Sequence, residues 1–361
     1  MSEEKVVLVL GAGATLADGL RKPVKSQPPL DQGFFSNVLP AYGAELGPVS
    51  GYMREHYGAR RLRDRPWDSL ERVMAVLYTD IFGGELEQEA YKAFLTLIRV
   101  YIRRLASTTE DIPMTPRCLM YRVIVGFLNQ GIDPSNITLM TFNQDIQAEK
   151  ALDAIQHTKG RMHERVFRFP ECYHLPKQPR LTQPRSGDQP LFDVGQGNGR
   201  GIALLKLHGS LNWYSTHNSP QPRRPSLFEP TRLISITRRK TIDPSMQLET
   251  APRSRRKFTF PIVVPPVVHK SGILHHDLKP VWSLAEERLK SANKVAIFGY
   301  SCPANDWEGA NLVCRALTGN AGLREISVID PDPNVMLRYV ELGNLSEVSY
   351  YRSASAYLGA E

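Results

Sequence analysis

Two short apolar runs, Ile137 to Phe142 and Ile202 to Leu207, constrain the fold most. The first passes into Thr141-Phe-Asn143-Gln-Asp145 and the second into Lys206-Leu-His208-Gly209-Ser210. Apolar runs of this length read as strands buried on both faces, the habit of parallel sheets. A polar residue at the end of such a strand stands where open α/β sheets bind ligands. A third run, Val6 to Leu10, leads straight into Gly11-Ala-Gly13-Ala-Thr15. Glycines after a first strand permit a tight turn and close backbone approach to a phosphate, with a helix N-terminus supplying N–H donors. An Asn, an Asp and a His converging on such a turn point to chemistry on a nucleotide.

Between the runs the periodicity changes. Leu70, Val73, Met74 and Leu77 recur at helical spacing, and Tyr91 to Leu105 repeats the pattern. Residues 40–130 therefore read as a helical module inserted after the first strand. Polar, Gly/Pro/Arg-rich stretches at 157–200 and 219–257 read as loop-rich insertions. Asp145 to Ile155, Trp282 to Ala292 and Trp307 to Leu317 are expected helices. Val295 to Phe298 and Glu325 to Ile329 are expected strands, and Phe258 to Val268 is expected to rejoin the sheet. The alternation predicts an α/β, Rossmann-like, mostly parallel sheet with helices on both faces, forming one domain over 1–361.

Composition narrows the class. Hydrophobic residues make up 42% of the 361 and charged residues 23%, enough to build a sizeable core. The net charge of +8 favours acidic partners without bearing on fold. The four cysteines form no C-x-x-C pair, which fits a reduced protein. The N-terminus does not read as a signal peptide, and no apolar run approaches the ~20 residues of a membrane span. These features predict a cytoplasmic protein without a membrane partner.

The glycine turn departs from the dehydrogenase pattern. The third glycine of G-x-G-x-x-G falls on Leu16, and Asp31, at the spacing of a ribose-binding acid, follows Gln27-Pro-Pro-Leu30 rather than a strand. A standard dehydrogenase is therefore rejected, while nucleotide binding is retained. Asp330, closing the strand Ser327-Val-Ile-Asp330, can accept hydrogen bonds from ribose hydroxyls or simply cap the turn before Pro331.

Four segments then carry a resemblance: Gly11-Ala-Gly13-Ala-Thr15, Thr141-Phe-Asn143-Gln-Asp145, Leu205-Lys-Leu-His208-Gly209-Ser210-Leu-Asn-Trp213, and Phe298-Gly299-Tyr300-Ser301 with Pro303 and Asp306 beyond it. In these the chain resembles the sirtuin family, closest to the bacterial, defence-associated sirtuin-like branch that hydrolyses NAD. The resemblance implies NAD as substrate, with Gly11, Ala12 and Gly13 around the pyrophosphate and Thr15 nearby. It implies Asn143 on the nicotinamide ribose or the attacking water, Asp145 at the nicotinamide pocket, and His208 as catalytic base. Gly299 and Ser301 would contact phosphate, and Asp330 the adenosine ribose. No metal is implied, since the four-cysteine zinc ribbon of the protein deacylases is missing. An NAD-depleting effector would need restraint by homo-oligomerisation or by a partner such as an ATPase. An NAD-dependent deacylase and a non-catalytic nucleotide-binding subunit are the alternatives.

The residue types suit that reaction. Breaking the nicotinamide–ribose bond builds positive charge on the sugar, as in other glycosyl transfers. The leaving group is already cationic and needs no strong acid. An imidazole can take a proton from water or a ribose hydroxyl, and a neutral Asn can fix that hydroxyl without adding charge. Weaker signals are His157, His163, Cys172 and His174, whose spacing fits no standard metal site, and the basic runs Arg60-Arg61-Leu-Arg63, Arg223-Arg224, Arg238-Arg239-Lys240 and Arg253 to Lys257. The basic runs admit nucleic acid as a partner but read more simply as solvated loops. Phe34 and Phe35 serve either as a flap over the nucleotide or as core anchors.

Overall fold

Strand β1 (Val6–Leu10) buries all five of its side chains. Consecutive strand residues face opposite ways, so both faces of β1 must be covered. In the computed structural model, which describes residues 4–20, 27–83, 86–109, 112–158, 166, 169, 171–175, 180–182, 201–217, 234–237, 258–264, 278–303, 306–343, 345 and 347–359, they are. The chain continues through α1 (Ala12–Gly19), α2 (Phe34–Tyr42), α3 (Gly47–Tyr57), α4 (Leu70–Gly83), α5 (Glu87–Thr109) and α6 (Leu119–Asn129). Then come β2 (Ile137–Thr141), α7 (Gln147–Thr158), β3 (Arg180–Thr182), β4 (Ala203–Lys206), β5 (Gly209–His217), β6 (Ile234–Thr237) and β7 (Phe258–Val263). The last part comprises α8 (Lys279–Lys290), β8 (Lys294–Phe298), α9 (Trp307–Thr318), β9 (Glu325–Ile329), α10 (Asn334–Gly343), β10 (Ser349–Tyr351) and α11 (Ala354–Tyr357).

Six strands form the main sheet in the order β10-β9-β8-β1-β2-β4, and every neighbouring pair is parallel. Val6, Leu8 and Leu10 share a core with Val123, Ile124 and Phe127 of α6 and Leu152 and Ile155 of α7. Val7 and Val9 share another with Val281 and Leu289 of α8 and Val313 and Leu317 of α9. The fold is thus α/β, a Rossmann-like parallel sheet sandwiched between helices. Each fully buried aliphatic side chain of this kind contributes about 1.5–3 kcal/mol of apolar burial.

Helices α2 to α5 gather around their own core, which includes Phe34, Phe35, Val49, Met74, Phe94 and Leu97. Helix α6 packs against the sheet instead. Leu211 of β5 and Val263 of β7 join the helical core. These two strands belong to a second sheet of order β3-β6-β5-β7, in which β5 runs antiparallel to both β6 and β7. Here the structure differs from the expectation that Phe258 to Val268 rejoins the main sheet. Gly209, at φ 75°, turns the chain out of the main sheet immediately after β4. β7 follows β5 there, and Val264 donates its amide to the His208 carbonyl at 2.9 Å. Most of 157–200 and 219–257 lies outside the described residues. Among the described residues no helix is long and apolar enough to cross a membrane.

Candidate functional site

In chain order β1, β2, β4, β8, β9 and β10 are the first to sixth strands of the main sheet, so its spatial order is third-second-first-fourth-fifth-sixth. This arrangement opens a crevice where the order reverses, outside the C-terminal ends of β1 and β8. Two glycine turns meet there. Gly11 donates its amide to Phe298 O at 3.0 Å, and Gly13 donates to Gly299 O at 2.9 Å. A Cβ on Gly11 would stand 2.3 Å from Gly299 O, and one on Gly299 would stand 2.2 Å from Ala14 N. The glycines are therefore required by contact of backbone on backbone. The Gly11 and Gly13 amides are consumed in that contact. Ala12, exposed at the first position of α1, presents an amide that has no acceptor within its own helix.

From β2 the chain delivers Asn143 beside this turn. Its Nδ2 donates to Gly11 O at 2.7 Å and to Thr15 Oγ1 at 3.0 Å. Thr15 in turn donates its hydroxyl to Asp145 Oδ2 at 2.8 Å. Asp145 Oδ1 accepts from the Gln147 amide at 2.9 Å, at the start of α7. Both carboxylate oxygens of Asp145 are thus engaged in holding the turn, and its side chain is buried. With the Asn143 amide nitrogen tied down, its Oδ1 is left as the acceptor for a ligand.

His208 arrives on the neighbouring strand, two residues past β4. Register places Thr141 opposite Lys206, so Asn143 and His208 emerge side by side from the sheet edge. The His208 ring lies 5.3 Å from that of Phe142, edge to face, and 6.2 Å from Trp282. Trp282 is fixed by its indole N–H, which donates to Leu207 O at 2.8 Å. His208 Nε2 lies 3.6 Å from Asp306 Oδ1. Tyr300 stacks on Phe142 at 4.0 Å and donates its hydroxyl to Asp306 Oδ2 at 2.8 Å. Burial first, and then the Asp306 carboxylate, push the Tyr300 phenol well above its ordinary pKa, so it remains a donor.

Beneath His208 lies a buried charge pair. Lys206 Nζ is 3.2 Å from Glu149 Oε1, with both side chains essentially inaccessible, and also donates to the Asp145 carbonyl. Glu149 Oε1 accepts from the Tyr173 hydroxyl at 2.9 Å, which accepts from Asn212 Nδ2 at 3.0 Å. The pair ties β4 and α7 to the turn that carries Asn143.

The remaining candidates stand around the same edge. Gly299 belongs to the glycine contact, and the Ser301 carbonyl accepts from Arg338 Nη1 at 2.9 Å. Asp330 closes β9 half-buried, its Oδ1 accepting the Asp332 amide at 2.9 Å. Burial raises its carboxyl above the usual range, and the Asp332 amide hydrogen bond opposes this only in part. Asp31 is occupied elsewhere: it accepts from Ser69 Oγ at 2.9 Å and from the Glu71 amide at 2.8 Å, anchoring the start of α4. Phe34 and Phe35 are fully buried core residues of α2. Cys172 is buried, His157 Nδ1 is bonded to Asp153 O at 2.8 Å, and His163 lies outside the described residues. Among the described residues no group of three or more His, Cys, Asp or Glu side chains is placed to hold a metal ion. Arg60, Arg61 and Arg63 are exposed; the other basic runs lie outside the described residues.

Reading by residue type passed over Asp306, Tyr300, Trp282 and the Lys206–Glu149 pair as site components. A signal existed for two of them. An Asp directly before the helical run from Trp307 is an N-cap candidate, and a Lys inside the apolar run Ala203 to Leu207 needs a buried partner.

No protein-family model and no curated protein matches the chain. Among solved structures it is similar to a mutant Sir2 homologue in complex with 2′-O-acetyl ADP-ribose, with 13% identity, 99% of this chain and 90% of that chain covered, and a TM-score of 0.45. A Sir2 homologue mutant in complex with ADP-ribose gives 14%, 99%, 90% and 0.44. A Sir2 mutant with a deacetylated p53 peptide and 3′-O-acetyl ADP-ribose gives 10%, 99%, 92% and 0.42.

Proposed function

We propose that the chain cleaves the nicotinamide–ribose bond of NAD, giving nicotinamide and ADP-ribose. The observation that carries this reading is the emergence of Asn143 and His208 from adjacent parallel strands beside the glycine turns of the switch-point crevice. A dinucleotide laid across that crevice would set its pyrophosphate at the start of α1, where the Ala12 amide and the helix dipole face an anion. Its nicotinamide ribose would then lie toward Asn143 and His208. The four motifs that resemble the sirtuin family supply the residues of this crevice, which adds to the reading.

The chemistry balances as NAD⁺ plus water to nicotinamide, ADP-ribose and a proton. The C1′–N bond breaks with its electron pair passing to the nicotinamide ring nitrogen, which becomes neutral. Water oxygen bonds to C1′. Asn143 Oδ1 accepts a hydrogen bond from the water or a ribose hydroxyl, and His208 takes the proton that is lost. No strong acid is required on the leaving-group side.

The test is nicotinamide release from NAD by the purified protein without any peptide. The parent should release nicotinamide, and Asn143→Ala and His208→Ala should each slow release by about 100-fold or more. Release that survives both substitutions would refute the site. Turnover only in the presence of an acetyl-lysine peptide would replace hydrolysis by deacylation.

A further inference from the structure

His208 faces a built counter-charge. Nε2 stands 3.6 Å from Asp306 Oδ1, and neither side chain is more than 10% exposed. This is an ion-pair distance, longer than a hydrogen bond. The carboxylate is held from two other directions. Oδ2 accepts the Tyr300 hydroxyl at 2.8 Å, and Oδ1 accepts the Gly309 amide at 3.4 Å in the first turn of α9. Tyr300 is itself clamped, stacked on Phe142 and accepting at its carbonyl the Tyr339 hydroxyl at 2.8 Å. The Phe142 ring closes the set by packing against His208.

We propose that Asp306 is a positioning residue for His208: it keeps Nε2 turned toward itself and compensates the charge the imidazole gains with a proton. A phenol donor and a helix N-terminus both favour the ionised form of the Asp306 carboxylate. In a buried setting a fixed opposite charge acts more strongly on an imidazolium than water would. The catalytic consequence rests on the NAD-cleavage reading; the pairing itself does not.

Asp306→Asn is the discriminating variant. Asn caps a helix as well as Asp does: its single side-chain oxygen keeps the Gly309 amide, and its NH2 donates to the Tyr300 hydroxyl, which can accept as well as donate, so the fold is retained. Imidazole ¹⁵N resonances, with His208→Ala for assignment, would be recorded in the parent and in Asp306→Asn well above the ordinary imidazole pKa of about 6.5. The parent should carry its proton on Nε2, and Asp306→Asn should move both nitrogen resonances. In nicotinamide release, Asp306→Asn should lower kcat by about 100-fold with KM unchanged within about threefold. Tyr300→Phe, which loosens the carboxylate without removing its charge, should fall between the two. Coincident His208 resonances in parent and variant, a parental proton on Nδ1, or parental kcat in Asp306→Asn would each overturn the proposal. If the isolated parent releases no nicotinamide, the nitrogen spectra still decide the pair, independently of the NAD-cleavage reading.

Discussion

Gly299 has φ 64°, and a Cβ there would press on the main chain of Gly13 and Ala14. Main-chain atoms of two packed turns cannot move aside as a flexible side chain would. Gly299→Ala is expected to lose about 2–4 kcal/mol of stability in denaturant unfolding. Gly47→Ala, where nothing lies within 4 Å, should be neutral or slightly stabilising, and equal losses in both would show that the contact between turns is not the cause. Asp330 calls for the opposite outcome. Its carboxyl is raised above 3.8, chiefly by burial. A carboxyl raised in the folded state favours folding below its unfolded pKa, and that advantage is lost as pH rises through the folded pKa. Asp330→Asn should therefore melt higher than the parent at neutral pH, with the difference gone below pH 3.8. A variant that melts lower at neutral pH would show that Asp330 is stabilised by its surroundings. A carboxyl that costs stability at the C-terminal end of a sheet strand is a functional-site candidate.

At the scale of elements, the Lys206–Glu149 pair links β4 to α7. Removing one member strands a buried charge. Lys206→Met should lose about 3–5 kcal/mol, and Lys206→Met combined with Glu149→Leu should regain most of it. A double variant no more stable than the single would place the pair's value in its hydrogen bonds to Tyr173 and Asp145 rather than in mutual neutralisation. Because Lys206 also holds the Asp145 carbonyl, the double variant should fold yet release nicotinamide more slowly than the parent. The starts of two helices at the site follow from their sequences. α9 starts where Asp306 caps it, accepting from the Gly309 amide at 3.4 Å, and α7 starts where Asp145 accepts from Gln147.

At the scale of the molecule, the legible strands were those with continuous apolar runs: β1, β2, β4, β8 and β9. Such runs survive because both faces of each strand are buried. β10 escaped notice because Ser349–Tyr351 is short and only partly covered. The departure of β5 and β7 into a second sheet depends on one left-handed residue, Gly209, which no hydrophobic period reports. At the site, Asn143 and His208 were readable as polar groups closing buried strands. Their partners were not. Thr15 lies 128 residues from Asn143 and Glu149 lies 57 from Lys206. Side-chain type alone cannot show that Asn143 spends its amide hydrogens on Gly11 and Thr15, or that both Asp145 oxygens are engaged in holding a turn.

The contact between the Gly11–Gly13 turn and Gly299 joins segments separated by most of the chain. During synthesis the early turn leaves the ribosome long before its partner exists. Until residue 299 emerges, the Gly11 and Gly13 amides lack the carbonyls they bond to in the finished protein. A nascent chain or a fragment ending before β8 would then be unable to set the glycine turn. On the NAD-cleavage reading, the nascent chain stays inactive until β8 is made.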